Sequence, residues 1–199
     1  MYKRQVFPVG AVLVDLPCFA SWPVLKRQLN NNMKNTVYNA LVFNISWLVC
    51  VLGGSLVALP AAVLVIAIHL RFFSGNRSEI LLIMLVLLLG VVVDSFFIRS
   101  GLLVAPDGSL WPPLWLVCLW GLFATTLNHS LKWFQNHLGI AVVVGGIAGS
   151  TTYFVGTRLT DFMLLEPQPL SLAVMFVVWC AVFPFCLLIS KRLLASKVE

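Results

Sequence analysis

A single aspartate inside an apolar run is the residue in this sequence best placed to do chemistry. Asp94 lies in EILLIMLVLLLGVVVDSFFIR, which runs from Glu79 to Arg99. Hydrocarbon solvates a charge poorly, so a carboxylate in such a run needs a partner, a water-filled cavity or nearby headgroups. Counting residues along the predicted helices places Tyr153 at a similar depth. The two side chains are therefore candidate ligand-binding residues.

A second cluster of polar side chains lies in ATTLNHSLKW, residues 124–133. Thr125, Asn128, His129 and Lys132 recur at i, i+3, i+4 and i+7, which predicts one polar stripe on a helix. A histidine can transfer a proton near neutral pH, and a lysine can hold an anion. His129, Asn128 and Lys132 are therefore the candidate catalytic residues. The alternative is a helix end that simply emerges into water.

Other candidate residues are predicted at membrane depths between those of Asp94 and His129. Asn44 and Trp47 fall near the middle of an apolar segment, in VFNISWL, and Trp115 and Trp120 fall in PPLWLVCLWGLF. They could line a cavity and bind a ligand. Alternatively, Asn44 bonds to a neighbouring helix, since a buried amide in a membrane often does so.

The expected depths of these residues in the membrane argue against a single site that contains both Asp94 and the histidines. Asp94 is expected in the outer third of the membrane and His129 near the cytoplasmic face, roughly 18 Å apart along straight helices. No H-x-x-x-H or H-E-x-x-H spacing is present, so we expect no metal and no cofactor. A site built from His69, His129 and His137 is the alternative.

The elements that hold these residues are membrane helices. The chain is 60% hydrophobic and 10% charged, with a mean hydropathy of +0.98, whereas soluble domains have roughly 25% charged residues. The expected fold is an all-α polytopic bundle of about six transmembrane helices. It occupies residues 35–192, between a poorly ordered N-terminal extension, 1–34, and a cytoplasmic tail, 193–199; Met33 is an alternative start. The predicted spans are 36–53, 55–72, 80–98, 112–131, 138–159 and 170–190.

Basic residues predict the orientation. With both termini in the cytoplasm, eleven lysines and arginines lie inside and two, Arg99 and Arg158, lie outside. This asymmetry follows the positive-inside rule. It accounts for the net charge of +6 without nucleic acid, so the lipid bilayer is the expected partner.

The fifth span carries a packing pattern. Gly145 and Gly149 form a G-x-x-x-G, and Gly146 begins a second small pair. Small residues at this spacing let another backbone approach closely. We expect an intramolecular helix contact, with a homodimer through this face as the alternative.

Several segments together resemble a known family. They are FNISWLVCVLGG, VVVDSFFIRSGLL, PPLWLVCLWGLFATTLNHSLKW and GGIAGSTTYFVGTRL. Over about residues 35–190 the chain resembles small bacterial multi-pass inner-membrane proteins of unknown function, often encoded beside cyclopropane-fatty-acid-synthase-like enzymes. The resemblance implies a bacterial inner-membrane location and a link with lipid modification. It supplies no catalytic residues.

Two classes of function follow from these observations. The first is a non-enzymatic membrane protein that binds or handles a lipid or small amphiphile in membrane lipid metabolism. The second is a membrane-embedded lipid-modifying enzyme with its site around His129 at the cytoplasmic face. The sequence contains no recognisable nucleophile, metal motif or nucleotide loop, which favours the first. A small-solute transporter is a further alternative.

Overall fold

The computed structural model describes residues 22–74 and 77–195. Within these residues the chain forms five α-helices, of which four are long and apolar enough to cross a membrane, while α3 is apolar but shorter. The helices are α1 Trp22–His69, α2 Arg77–Arg99, α3 Leu114–Leu127, α4 Leu138–Leu159 and α5 Gln168–Ala195. A π-helical turn, Leu70–Ser74, follows α1, and a 3-10 helix, Lys132–Asn136, precedes α4.

The chain divides into two units, Met1–Asn35 and Thr36–Glu199. The first is described from Trp22, where it is helical, so residues 1–21 of the predicted extension lie outside the described residues. The last residues of the predicted tail, 196–199, also lie outside them. All contacts below are within the second unit.

Helix α1 is interrupted at Gly54 and folds back on itself. Gly54 has φ 61° and ψ −170°, in the left-handed half of conformational space that glycine enters without steric cost. The rings of Tyr38 and Phe73 are 6.0 Å apart, although a straight helix would separate these residues by roughly 52 Å. Residues 36–53 and 55–69 therefore form the two arms of a helical hairpin, and the turn falls at the predicted Gly-Gly-Ser break.

Several glycines lie where neighbouring helices pack closely. A Cβ on Gly149 of α4 would lie 2.2 Å from the ring of Trp179 on α5, and one on Gly145 would lie 2.6 Å from Phe183. Gly146 similarly faces Cys180. On α2, a Cβ on Gly90 would lie 2.0 Å from the Trp120 ring of α3. These contacts bring Trp120 and Trp179 together, with parallel rings 5.1 Å apart.

A short β-ribbon joins the loops that follow α2 and α4. Strand β1, Leu103–Val104, pairs antiparallel with β2, Met163–Leu164, and Leu103 lies opposite Leu164. The C-terminal ends of α2 and α4 therefore lie on the same side of the bundle. Two-residue strands carry no alternating pattern, and the sequence did not predict them.

Helix α4 has the predicted bounds, but α3 ends four residues before the predicted end of the fourth span. The carbonyl of Thr126 accepts a hydrogen bond from the Leu131 N–H (2.9 Å), and Gln135 Nε2 donates to the carbonyl of Leu127 (3.1 Å). These bonds satisfy carbonyl groups that a longer helix would have used. The prediction of one helical stripe through Thr125 and Lys132 is therefore wrong, because residues from Asn128 onward form a turn.

Candidate functional site

A cavity of about 360 Å³ opens within the bundle. Its walls come from the first arm of α1 and from α3, α4 and α5, and most of its lining side chains are aromatic or aliphatic. Five of the six predicted ligand-binding residues line it: Asn44, Trp47, Trp115, Trp120 and Tyr153. The structure thus brings together residues that lie up to about 110 positions apart in the sequence.

The sixth predicted residue, Asp94, lies behind this wall. Its side chain is fully buried. The Tyr153 hydroxyl donates a hydrogen bond to Oδ1 (2.5 Å), and Trp120 Nε1 donates one to Oδ2 (2.8 Å). Asp94 therefore fixes two residues of the cavity wall and is a positioning residue. Arg99, five residues further along α2, lies over the ring of Trp111, with its guanidinium carbon 4.3 Å from the ring centroid.

Asn44 and Trp47 of the first arm differ in whether their side-chain N–H groups are hydrogen-bonded. Asn44 Nδ2 donates to the carbonyl of Ala40 in its own helix (2.8 Å), and among the described residues its amide has no hydrogen bond to a neighbouring helix. The indole N–H of Trp47 is buried and has no hydrogen-bond acceptor among the described residues. A buried donor without an acceptor is costly, and this one belongs to a residue of the cavity wall.

A second polar cluster lies where the second arm of α1, the start of α2 and the end of α3 meet. His69 Nε2 is 3.3 Å from Glu79 Oε1, and His129 Nε2 is 3.9 Å from the same oxygen. The two imidazole rings meet edge to face, with centroids 4.8 Å apart. His69 and Glu79 are buried, whereas the His129 side chain is 23% exposed. We call these three residues the His–Glu cluster.

An amide network holds the carboxylate of this cluster. Asn128 Nδ2 donates to Glu79 Oε2 (2.9 Å). The carbonyl oxygen of Asn128 accepts hydrogen bonds from Gln135 Nε2 (3.1 Å) and from the Ser190 hydroxyl. Asn128 therefore holds the Glu79 carboxylate in place. Its own side chain is held by Ser190 of α5 and by Gln135 of the 3-10 helix.

The remaining predicted residues of this region lie at its edge. Lys132 is exposed at the start of the 3-10 helix. His137, considered with His69 and His129 for a metal site, stacks on Trp133 with centroids 3.9 Å apart and is not part of the His–Glu cluster. Of the predicted catalytic residues, Asn128 and His129 are thus brought together.

Electrostatics favour the neutral form of His129. Burial lowers the pKa of its imidazole, because removing water disfavours the charged ring. The nearby His69 lowers this pKa further, and Glu79 opposes the shift. A neutral imidazole keeps a lone pair that can accept a proton or bind a metal ion.

Glu79 is the member of the cluster that sequence reasoning missed. The third predicted span begins at residue 80, so Glu79 falls just before it, where an exposed acidic residue is ordinary. Its burial depends on the position of Asn128 after α3, and α3 was predicted to continue beyond that point. One signal was present in the sequence. Glu79 follows His69 by ten residues, and both residues are predicted near the cytoplasmic face of the membrane.

One known protein family matches a range of the chain that includes both the cavity and the His–Glu cluster. The family described as "Protein of unknown function (DUF2878)" matches residues 36–185. The chain belongs to this family. No curated protein and no solved structure gives a significant match. The matched range begins in the first arm of α1 and ends within α5, so it contains the cavity lining and the whole His–Glu cluster.

Proposed function

We propose that the protein is a multi-pass membrane protein that binds a lipid or small amphiphile in the cavity between the first arm of α1 and α4. The observation that carries this proposal is the cavity itself. Its volume of about 360 Å³ falls within the range of roughly 300–1,000 Å³ that is usual for small-molecule sites. The apolar helices of the chain are compatible with membrane insertion.

The distribution of lining groups favours an amphiphile over a polar solute. Aromatic rings from four α-helices line the cavity, among them Phe43, Trp120 and Phe183, and aliphatic side chains supply much of the remaining wall. Lining positions on α4 extend from Val144 to Thr157, a length of about 20 Å. An elongated apolar groove suits a hydrocarbon chain.

Polar groups lie near both ends of this groove. Thr126 and Ser130 belong to the lining near the end of α3, and Thr157 and Thr160 belong to it near the end of α4. Hydroxyl groups at these places could bind a small polar head without requiring a charged one. An oxygen of the ligand could also accept the hydrogen bond that the Trp47 indole lacks.

We further propose that the helical hairpin of α1 crosses the membrane twice, which gives six spans with α2 to α5, and that both termini are cytoplasmic. The asymmetry of basic residues supports this arrangement. In it, the His–Glu cluster lies near the cytoplasmic face and the β-ribbon lies outside. A bacterial inner membrane and a role in membrane lipid metabolism belong to the same proposal.

A cavity-filling variant tests the binding proposal. Ala148 lines the cavity, whereas Ala67 is exposed on the second arm of α1 and outside the lining. We expect Ala148→Trp to bind the fluorescent fatty acid parinaric acid at least tenfold more weakly than the wild type, a loss of about 1.4 kcal/mol. Ala67→Trp adds the same ring elsewhere and should bind normally. Energy transfer from tryptophan to the bound probe, measured in detergent solution, reports the affinity.

Equal affinity of Ala148→Trp and Ala67→Trp would contradict the proposal, provided that both variants elute from size exclusion as the wild type does. A cellular measurement complements the binding assay. Whole-cell lipids of a strain that lacks the gene are compared with those of strains carrying the wild type or Ala148→Trp. The two mutant strains should share an altered lipid profile if the cavity is used in the cell.

A further inference from the structure

We propose that His69, Glu79 and His129 bind a divalent first-row transition-metal ion of the zinc class, with one coordination position left open. The site is distinct from the amphiphile cavity and does not depend on the function proposed for it. It is formed by residues from the end of α1, the start of α2 and the turn after α3. The donor atoms of the three side chains lie within 4.8 Å of one another.

The spacing of the donor atoms fits a shared ion. Nitrogen and oxygen ligands lie about 2.0–2.2 Å from zinc, so two ligands of a tetrahedral ion are roughly 3.3 Å apart. The separation of 3.3 Å between His69 and Glu79 already has this value, and His129 is 3.9 Å from the same carboxylate oxygen. To share one tetrahedral ion, donor atoms that are now up to 4.8 Å apart must approach this spacing.

The donor set selects the class of ion. Two imidazoles and one carboxylate suit zinc and other first-row transition ions, and the same set recurs in zinc enzymes that keep a water molecule in the fourth position. Calcium and magnesium prefer oxygen ligands. The cluster is therefore chemically suited to Zn²⁺, Co²⁺ or Mn²⁺ and poorly suited to the hard alkaline-earth ions.

The surroundings prepare Glu79 as a metal ligand. Asn128 binds Oε2 of the carboxylate (2.9 Å), so Oε1 faces the two imidazoles. A hydrogen bond of this kind orients a ligating group and is typical of the outer shell of metal sites. Among the described residues, Glu79 forms ion pairs with histidines and with no lysine or arginine. A bound cation would supply the positive charge that a buried carboxylate requires.

The cluster also has room for exchange of a fourth ligand. His129 is partly exposed, and a second cavity of about 260 Å³ lies beside His69, with Tyr38 and Phe73 in its lining. A water molecule or a small anionic group could reach an ion from this side. The geometry is that of an open site, and a closed structural site would need a fourth protein ligand.

Cobalt is a direct probe because its absorption reports its ligands. The full-length protein is purified in detergent, treated with a chelator and titrated with Co²⁺, and bound metal per chain is measured separately with Zn²⁺ by elemental analysis. We expect one ion per chain and a visible cobalt spectrum that zinc abolishes. His69→Ala, Glu79→Gln and His129→Ala should each bind at least tenfold more weakly, since even outer-shell changes cost roughly 10–100-fold.

His137→Ala is the matched control, because His137 stacks on Trp133 outside the cluster and its loss should leave the affinity unchanged. His129→Cys supplies a thiolate in place of the imidazole and should add a sulfur-to-cobalt charge-transfer band. A wild type that binds no Co²⁺ or Zn²⁺ would overturn the proposal without reference to any variant. Unchanged affinity in a His129→Ala protein that elutes normally would overturn it as well.

Discussion

At the scale of single residues, Asp94 joins three helices through one carboxyl group. It belongs to α2, accepts one hydrogen bond from Trp120 on α3 and accepts another from Tyr153 on α4. Both donors also line the large cavity. A fully buried polar group of this kind stabilises the fold only while its partners remain, because a lost partner leaves an unsatisfied group. The contribution of Asp94 to stability can therefore be measured by removing one of these partners.

Replacement of Tyr153 by phenylalanine tests this role. The variant keeps the ring and removes the hydroxyl that donates to Asp94 (2.5 Å). We expect the free energy of unfolding to fall by about 1–3 kcal/mol, the cost of leaving a buried acceptor without its donor. Denaturant-induced unfolding in detergent micelles, followed by tryptophan fluorescence, measures the change.

Tyr38→Phe is the control for the same chemical change. Tyr38 is 53% exposed, so its loss of a hydroxyl should alter the free energy of unfolding by less than about 0.5 kcal/mol. If Tyr153→Phe unfolded at the same denaturant concentration as Tyr38→Phe, the hydrogen bond to Asp94 would contribute nothing measurable. The hydrogen bond from Trp120 would then be the polar contact that holds Asp94.

Sequence reasoning reached part of this residue-scale arrangement. Depth along two predicted helices was enough to place Tyr153 at the level of Asp94, since the rise per residue of a helix is constant. The donor role of Trp120 was not predicted, because it depends on the rotation of α3 about its axis, and α3 is apolar on all sides. The contact of Asn128 with Glu79 was missed for a different reason, because the predicted fourth span continued past Leu127, where α3 ends.

At the scale of helices, glycine decides how closely neighbours approach. The pair Gly145 and Gly149 could be recognised from its spacing, and in the fold α5 covers this face of α4. Gly90 could not be recognised, because a lone glycine in an apolar run has no partner in the sequence to mark it. Its importance comes from the Trp120 ring placed directly on it, which is a property of the assembled bundle.

Two alanine substitutions on one helix test the role of glycine contacts. A Cβ at Gly149 would lie 2.2 Å from Trp179, whereas a Cβ at Gly156 would meet nothing within 4 Å. We expect Gly149→Ala to destabilise the protein by about 1–3 kcal/mol through overpacking. Gly156→Ala should be neutral or stabilising by up to about 1 kcal/mol, because alanine favours the helix.

Thermal unfolding monitored by circular dichroism in detergent distinguishes the two variants. A second measurement locates the effect, because displacement of Trp179 should also disturb its parallel stacking with Trp120 and change the near-ultraviolet spectrum. Equal melting temperatures for Gly149→Ala and Gly156→Ala would mean that α4 and α5 can separate without cost. The glycine contacts would then not limit the stability of the bundle.

At the scale of the whole molecule, the chain keeps its two polar regions apart. The Asp94 network and the His–Glu cluster share α2, where Asp94 and Glu79 are about 15 residues or roughly 22 Å apart. The β-ribbon joins the loops after α2 and α4, near the Asp94 end. The proposed orientation therefore assigns the β-ribbon to the outside and the His–Glu cluster to the cytoplasm.

Single cysteines in a protein whose five native cysteines are replaced by alanine test this orientation. Leu56 is 92% exposed beside the turn of the α1 hairpin, Asp107 is exposed in the loop before α3, and Asn136 is exposed before α4. We expect a membrane-impermeant maleimide to label Leu56→Cys and Asp107→Cys in intact cells. Asn136→Cys should be labelled only after the cells are made permeable, since it lies on the side rich in basic residues.

The labelling of Leu56→Cys distinguishes six membrane spans from a smaller number. If the hairpin crosses the membrane twice, its turn lies on the same side as Asp107, and the two cysteines should react alike. Labelling of Leu56→Cys only in permeable cells would show that the hairpin does not reach the outer face, and the proposed count of six would be wrong. Labelling of Asn136→Cys in intact cells, with Asp107→Cys protected, would instead invert the orientation and move the His–Glu cluster to the outer face.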